Sequence, residues 1–238
     1  MKRRFFVEHP ITQSQVIISG PDAHHIRNVN RLDVGDTVTL FDGSGKEFEA
    51  NIVFAEKKRL NLEIVQSQEI SREIDGELTI AVALPKGDRQ KVLVEKMVEL
   101  GVTTLVPIHC ERSVVQLKEK SIDRLNRWVV EAAKQCGRNL LMKIDAGLKF
   151  EDLLKDDGHS DDRFIAHPYE ESVSGAQAVT QCESTSHVIV AIGPEGGFSD
   201  AEVAAASEAG WKKLKMGRSV LRVETAAAAA ATLFGLGR

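Results

Sequence analysis

Two rhythms of apolar and polar positions divide the chain. Up to about Gln66, apolar and polar residues alternate in short runs, Gln15 to Ser19, Thr37 to Phe41, Phe48 to Phe54 and Leu60 to Val65. A period of two is the mark of half-buried strands, because successive side chains point to opposite faces. The turn formers Asp42-Gly43-Ser44-Gly45 stand between the second and third runs and predict a hairpin there. These runs predict a small β-barrel-like domain over residues 1–70. From Leu78 onward, apolar runs (Leu78 to Leu84, Thr104 to Ile108, Phe164 to His167, Val188 to Ile192, Lys213 to Met216) alternate with amphipathic stretches. That order predicts an α/β domain over residues 71–238, a parallel sheet covered by helices. The polar stretch Ser67 to Gly76 falls where the rhythm changes and reads as the linker.

Helical spacing is plain in two places. Leu93, Met97 and Leu100 recur on one face between Arg89 and Leu100, with Lys91, Glu95 and Glu99 opposite and Gly101 as the stop. Leu125, Trp128, Val129 and Ala132 do the same between Asp123 and Cys136, closed by Gly137. Both helices read as scaffold.

Composition narrows the class without naming a partner. The 238 residues are 42% hydrophobic and 28% charged, as in a soluble globular chain with room for one large or two modest cores. No apolar run approaches the roughly 20 residues that span a bilayer. The start Met1-Lys2-Arg3-Arg4-Phe5-Phe6-Val7 resembles a signal peptide, but Glu8, His9 and Pro10 interrupt it before an apolar region forms. A cytoplasmic location is expected. Cys110, Cys136 and Cys182 lie far apart, without zinc or disulfide spacing, and read as reduced and structural. Neither the pair His109-Cys110 nor His159 has a ligand partner at metal spacing, so no metal is expected. The net charge of -4 excludes a uniformly basic coat and leaves room for a local positive patch.

Candidate chemistry sits in two strand-to-helix junctions. Val188 to Ile192 is a buried-strand run that leads into Gly193-Pro194-Glu195-Gly196-Gly197-Phe198-Ser199-Asp200. In open α/β sheets, ligands bind beyond the carboxyl ends of strands, where glycines admit close backbone approach and helix N-termini present free N–H groups. Ser199 or Asp200 is placed to cap the following helix, with Glu202 in its first turn. On spacing alone, a tight turn accounts for this loop as well as a cofactor pocket does. The loop ends without Gly-Lys-Ser/Thr and does not match Gly-x-Gly-x-x-Gly, which disfavours triphosphate and dinucleotide cofactors. The second junction is Met216-Gly217-Arg218-Ser219-Val220-Leu221-Arg222-Val223-Glu224-Thr225, before the alanine-rich run Ala226 to Ala231. A carboxylate at a helix start is explained by the helix dipole; Arg218 and Arg222 at its positive end are not, and they point to an anionic partner.

These segments carry a family resemblance. Ile192-Gly193-Pro194-Glu195-Gly196-Gly197-Phe198-Ser199, followed by Leu221-Arg222-Val223-Glu224-Thr225-Ala226, resembles the paired signature of the SPOUT methyltransferases, in particular the ribosomal RNA small subunit methyltransferase E family. Glu111-Arg112-Ser113-Val114 and Glu131 to Arg138 are similar to the family's first catalytic-domain motif, and His24-His25-Ile26-Arg27 through Phe41-Asp42-Gly43 to its PUA-like RNA-binding domain. The resemblance runs nearly the whole chain in order. It implies a deep trefoil knot within about 160–238, which no spacing argument predicts. It also implies a homodimer whose active site draws on both subunits, and S-adenosyl-L-methionine as cofactor, held by His167, Pro168, Gly193, Pro194, Glu195, Gly196, Gly197, Met216, Gly217, Leu221, Arg222 and Thr225. Met216 stands where relatives often carry leucine, an apolar exchange of similar volume.

The implied activity is methylation of uridine N3 in small-subunit ribosomal RNA. That nitrogen carries a proton at neutral pH, and its lone pair becomes nucleophilic only as the proton leaves. Glu224 is the expected acceptor, with Arg138 or Arg222 stabilising charge on the uracil oxygens. An open alternative has arginine acidify the uracil and water take the proton, with Glu224 positioning Arg222. If residues 23–31 are helical, His24, Arg27, Asn28 and Arg31 share a face, and His24, Arg27 and Arg31 with Arg3, Arg4 and Lys86 are the expected RNA contacts. Two rival functions remain at this point. One is a non-catalytic RNA-binding assembly factor with the same fold; the other is a phosphate-transfer enzyme, which would want a phosphate lysine and metal carboxylates.

Overall fold

The computed structural model describes residues 3–115, 119–155, 160–168 and 172–236. The knot segment of the sequence reading therefore includes positions outside the described residues, as does His159. The chain forms two units. One is Met1–Arg72 joined by Ala133–Leu140; the other is Glu73–Ala132 with Leu141–Arg238.

The N-terminal unit is a five-stranded sheet of β1 (Arg4–Phe6), β2 (Gln15–Ser19), β3 (Thr37–Phe41), β4 (Lys46–Glu56) and β5 (Arg59–Glu69), in the order β1-β3-β4-β5-β2. The alternation in the sequence maps onto its burial. Leu40, Phe48, Ala50, Ile52, Leu60 and Leu62 point into one core with Ile26 and Leu32. Each such aliphatic side chain taken fully from water contributes roughly 1.5–3 kcal/mol. The predicted hairpin joins β3 to β4, which pair antiparallel. Burial alone would raise the Asp42 carboxyl at this turn, but hydrogen bonds from Ser44 Oγ and from the amides of Ile11 and Ser44 outweigh it and hold the group below its usual range. β5 continues to Glu69, three residues into the stretch read as linker.

Between β2 and β3, Pro21 opens a short helix, α1 (Gly20–His24), which widens into a π-helical turn at His25–Val29. The amide of Asn30 bonds to the carbonyl of His25, five residues back. The wider turn breaks the i, i+3, i+7 register on which a basic face was expected. Arg31 lies beyond it with φ 55°, and the Arg27 guanidinium donates to the carbonyl of Ala55.

The segment 133–140 belongs to this unit because its polar groups are spent there. Arg4 donates to the carbonyl of Arg138 and to Asn139 Oδ1, and Arg72 donates to the carbonyl of Gly137. Asn139 Nδ2 bonds to the carbonyl of Ile70, and Leu140 bridges to Ser44. Glu47 joins Arg4 and Arg72. Burial pushes its carboxyl up, but bonds and charge from the two arginines prevail and leave it below the carboxylate norm. Arg4 is thus a structural residue, its guanidinium occupied and stacked 4.0 Å from the Phe41 ring, and not an open phosphate contact as expected.

The C-terminal unit is built on β6 (Glu77–Val82), β7 (Thr104–His109), β8 (Lys143–Ile144), β9 (Leu148–Lys149), β10 (Asp162–Ala166), β11 (Val173–Ser174), β12 (His187–Ile192) and β13 (Lys212–Lys215). The order is β11-β13-β10-β12-β6-β7-β8, with β9 also on β7, and the described pairings are all parallel. Connecting them are α2 (Arg89–Glu99), α3 (Glu119–Cys136), α4 (Phe150–Lys155), α5 (Gly175–Gln181), α6 (Asp200–Glu208) and α7 (Val223–Gly235). One face of the sheet, with Ala81, Val106, Ile165, Ile189 and Ala191, packs with Phe150, Phe198, Val203 and Trp211. The other receives α7, which lies against α2, α5, β6 and β12. Its alanines permit that approach: Ala227, Ala230, Ala231 and Phe234 are fully buried, with Phe234 stacked on Phe164 at 5.1 Å. The Cys110 thiol is pushed up to about 12, chiefly by burial, and is chemically inert in this position.

Candidate active site

The strand order places β10 between β13 and β12, so three neighbouring parallel strands end side by side. Between β12 and β13 the chain must pass over β10, which makes this the point where strand order reverses and where a ligand crevice is expected. A cleft of about 640 Å³, counted with its open mouth, lies there. Its size falls within the usual range for small-molecule sites. Three loops form it: Ala166, His167 and Pro168 after β10; Ile192 to Glu195, Gly197 and Phe198 after β12; Leu214 to Leu221, in part, after β13. Val223 and Ala226 of α7 close it.

Each loop is fixed by backbone bonds. The amide of His167 donates to the carbonyl of Leu214 (2.9 Å), joining the first loop to the third, and Gly197 N donates to Pro194 O (2.8 Å) to turn the second. Gly197 has φ 70°, which side chains with a Cβ rarely adopt. At Gly193 a Cβ would come within 2.9 Å of the Phe198 ring, so only glycine lets strand and ring pack together. Phe198 is in turn held against Phe150, centroids 4.7 Å apart. The loop ends in a reciprocal cap: Ser199 N donates to Glu202 Oε2 (2.8 Å) and Glu202 N to Ser199 Oγ (3.3 Å). Arg112 braces the loop from outside through the carbonyl of Gly196.

The charges at the cleft are sparse. Among its described lining residues there is one carboxylate, Glu195, one imidazole, His167, and no lysine or arginine. Burial lowers the His167 pKa, with the Lys213 charge acting the same way and Asp200 opposing, so the neutral ring is favoured. α7 starts at Arg222 without a side-chain cap, leaving first-turn N–H groups for other acceptors. Glu224, in that first turn, is mostly buried, and its Oε2 has no hydrogen-bond partner among the described residues; Arg89 Nη1 stands 3.8 Å away, too far for one.

The structure brings most of the expected cofactor residues together: His167, Pro168, Gly193, Pro194, Glu195, Gly197, Met216, Gly217 and Leu221 line the cleft. Gly196, Arg222 and Thr225 do not, because the Gly196 carbonyl turns to Arg112 and Arg222 and Thr225 are exposed around the α7 start. Arg138 is 4% exposed and belongs to segment 133–140; it is not a lining residue, and its role at the reacting base is not supported by this position. Arg3, His24, Arg31 and Lys86 are exposed. Sequence reasoning did not name Ala166 and Leu214, which carry no motif, or Ser219 and Val220, which lie inside the second junction, as cofactor residues, and it missed Arg89, whose helix read as scaffold. Position at a strand's carboxyl end was the available signal for the first two.

An S-adenosylmethionine-like molecule fits this cradle by its chemistry. A sulfonium nucleoside has an apolar-edged adenosine and an amino-acid end but no phosphate, and the lining supplies apolar walls and backbone groups without the cations that phosphates need.

Comparison with known proteins agrees. An RNA methyltransferase domain model matches residues 72–235, and an RNA methyltransferase PUA domain model matches residues 18–65. Ribosomal RNA small subunit methyltransferase E of Bacillus subtilis is 31% identical, covering 94% of this chain and 92% of its own. A structure from Legionella pneumophila, in complex with bound S-adenosylmethionine, superposes with TM-score 0.90 at 29% identity over 100% of this chain and 98% of that one. The ribosomal RNA small subunit methyltransferase E of Neisseria gonorrhoeae, bound to S-adenosylmethionine, gives 0.86 at 27% identity over 98% and 96%. With an N-terminal PUA-like domain, a parallel-sheet catalytic domain and this cleft between three strand ends, the chain belongs to the ribosomal RNA small subunit methyltransferase E family.

Proposed function

We propose that this protein transfers the methyl group of S-adenosylmethionine to N3 of a uridine in small-subunit ribosomal RNA, in the cytoplasm, as a homodimer whose residues from about 160 onward thread a trefoil knot. The observation that carries the methyl-transfer reading is the cleft at the ends of β10, β12 and β13, whose described lining is mostly backbone and apolar groups without lysine or arginine.

When bound, the sulfonium supplies a methyl carbon already activated toward a nucleophile, so no metal is required of the protein. Its residues must orient the base and move one proton. The main-chain groups of Gly193, Pro194, Glu195 and Gly197 and the α7 start would hold the donor; Phe198, Leu221 and Val223 would exclude water around it. Glu224, whose Oε2 has no hydrogen-bond partner among the described residues, would accept the N3 proton, and the freed lone pair of the base would take the methyl group that the bound sulfonium supplies. The proton then passes to water. Arg222, exposed at the head of α7, faces developing charge on the uracil oxygens. Arg138 is left out of this division because it is buried elsewhere in its own chain. RNA contacts are assigned to the exposed Arg3, His24, Arg31 and Lys86, not to Arg4.

Calorimetry with S-adenosylmethionine, followed by mass analysis of ribosomal RNA from a deletion strain carrying either the wild-type gene or Glu224→Gln, tests the reading. Binding by both proteins, and 3-methyluridine only with the wild type, is expected. No heat of binding overturns the activity in favour of a non-catalytic assembly factor; full methylation by Glu224→Gln overturns the proton acceptor.

A further inference from the structure

One arginine joins the two parts of the site that come from different junctions. Arg89, the first residue of α2, donates from Nη2 to Glu195 Oε1 at 2.7 Å, and its other terminal nitrogen, Nη1, stands 3.8 Å from Glu224 Oε2. Glu195 lies on the glycine loop after β12; Glu224 lies in the first turn of α7. A planar guanidinium has two prongs in fixed relation, so one group sets the spacing of two carboxylates.

The base of this fork is itself held. Buried Gln90, the next residue, donates to the carbonyl of Pro85 at 2.8 Å and accepts from Arg124 at 2.9 Å. Just upstream, the amide of Ala83 bonds to the carbonyl of Ile192, tying the end of β6 to the end of β12. Arg89 therefore projects from a fixed turn, beside the strand that feeds the glycine loop. Its side chain is 35% exposed and that of Glu195 38%. An ion pair so exposed adds little to stability, because water screens it and two long side chains must be ordered to make it. What it supplies is geometry.

We infer that Arg89 is a positioning residue for methyl transfer, holding the donor loop through Glu195 and the proton acceptor Glu224 at a set separation. The inference rests on the function proposed above. A displacement of the order of an ångström between donor and acceptor costs turnover while leaving the donor's own contacts intact. Lysine keeps the charge but reaches one carboxylate at a time, so it restores only part of the function.

The test is methyl transfer from labelled S-adenosylmethionine into small subunits from a deletion strain, with calorimetry of donor binding and thermal melting on the same proteins. Arg89→Gln is expected to lower kcat about 30-fold, with the KM for donor within about threefold and melting unchanged. Arg89→Lys should recover part of kcat. Glu195→Gln should lower kcat less, and the double variant should be no worse than Arg89→Gln alone, since both break the same tie. Lys91→Gln, which removes an exposed ion pair on the same helix, should match the wild type. Loss of donor affinity with kcat retained, or losses that multiply in the double variant, overturns the positioning role and leaves the proposed reaction standing. A wild-type protein that transfers no methyl group overturns both.

Discussion

In the N-terminal unit one carboxylate, Glu47, sits between two arginines; at the cleft one arginine, Arg89, sits between two carboxylates. The first cluster is committed. Arg4 bonds to Glu47, the Arg138 carbonyl and Asn139, and Arg72 to Glu47 and the Gly137 carbonyl; of the buried polar atoms in this set, Arg4 Nε alone has no hydrogen bond among the described residues. The second cluster is incomplete, with the Glu224 oxygen nearest Arg89 buried and unbonded. Charges that serve the fold use their bonding capacity on the fold. An acceptor left over at the helix start beside the cleft is capacity not used by the fold.

Five substitutions would break or sharpen this contrast. Arg4→Ala should have the largest effect, about 2–3 kcal/mol of unfolding free energy, somewhat below the figure for a fully buried pair because Glu47 keeps partial access to water. Denaturant titration measures it, and donor affinity should not change. If Arg4→Ala instead left stability intact and weakened RNA binding, the assignment of that cluster to the fold would be wrong. Gly193→Ala comes next: a methyl group 2.9 Å from the Phe198 ring forces the loop apart, and donor affinity should fall about tenfold, equivalent to about 1.4 kcal/mol. Ser199→Ala removes half of the reciprocal cap on α6 and should cost about 1 kcal/mol of stability, read by melting.

The smallest effect is a pH dependence. Asp42 has a carboxyl held below its unfolded value, so the folded state binds fewer protons; its contribution is present above the ordinary range of about 4 and is lost as pH falls through the lowered value. Asp42→Asn should therefore flatten the decline of stability in acid, with little change at pH 7. At the cleft the sign of the protonation preference reaches the same direction by another route. Neutral His167 is favoured by burial, so stability also falls as pH drops below the ordinary imidazole range of about 6.5, and His167→Gln should remove that part.

How much was legible in the sequence follows the range of each interaction. Period-two alternation found β2, β3, β4 and β5, and apolar runs found β6, β7, β10, β12 and β13, because those signals are local. β1, β8, β9 and β11 are two or three residues long, too short for any period. The glycine loop and its capping pair Ser199 and Glu202 were visible as spacing. That His167 would meet Leu214 was not, since it depends on β10 lying between β12 and β13. The basic face over 23–31 was misread because helix periodicity assumes an α-helical turn, and the chain widens there. Arg89 escaped notice because nothing within its own helix distinguishes it from Lys91.

The return of residues 133–140 to the N-terminal unit has a consequence for synthesis. A domain made only of the first 72 residues could pack as soon as it left the ribosome, as N-terminal domains generally do. Here Arg4 and Arg72 find the carbonyls of Arg138 and Gly137 only after about twice that length has emerged. The first unit to be translated must therefore wait for more than a third of the second before Arg4 and Arg72 acquire all these partners.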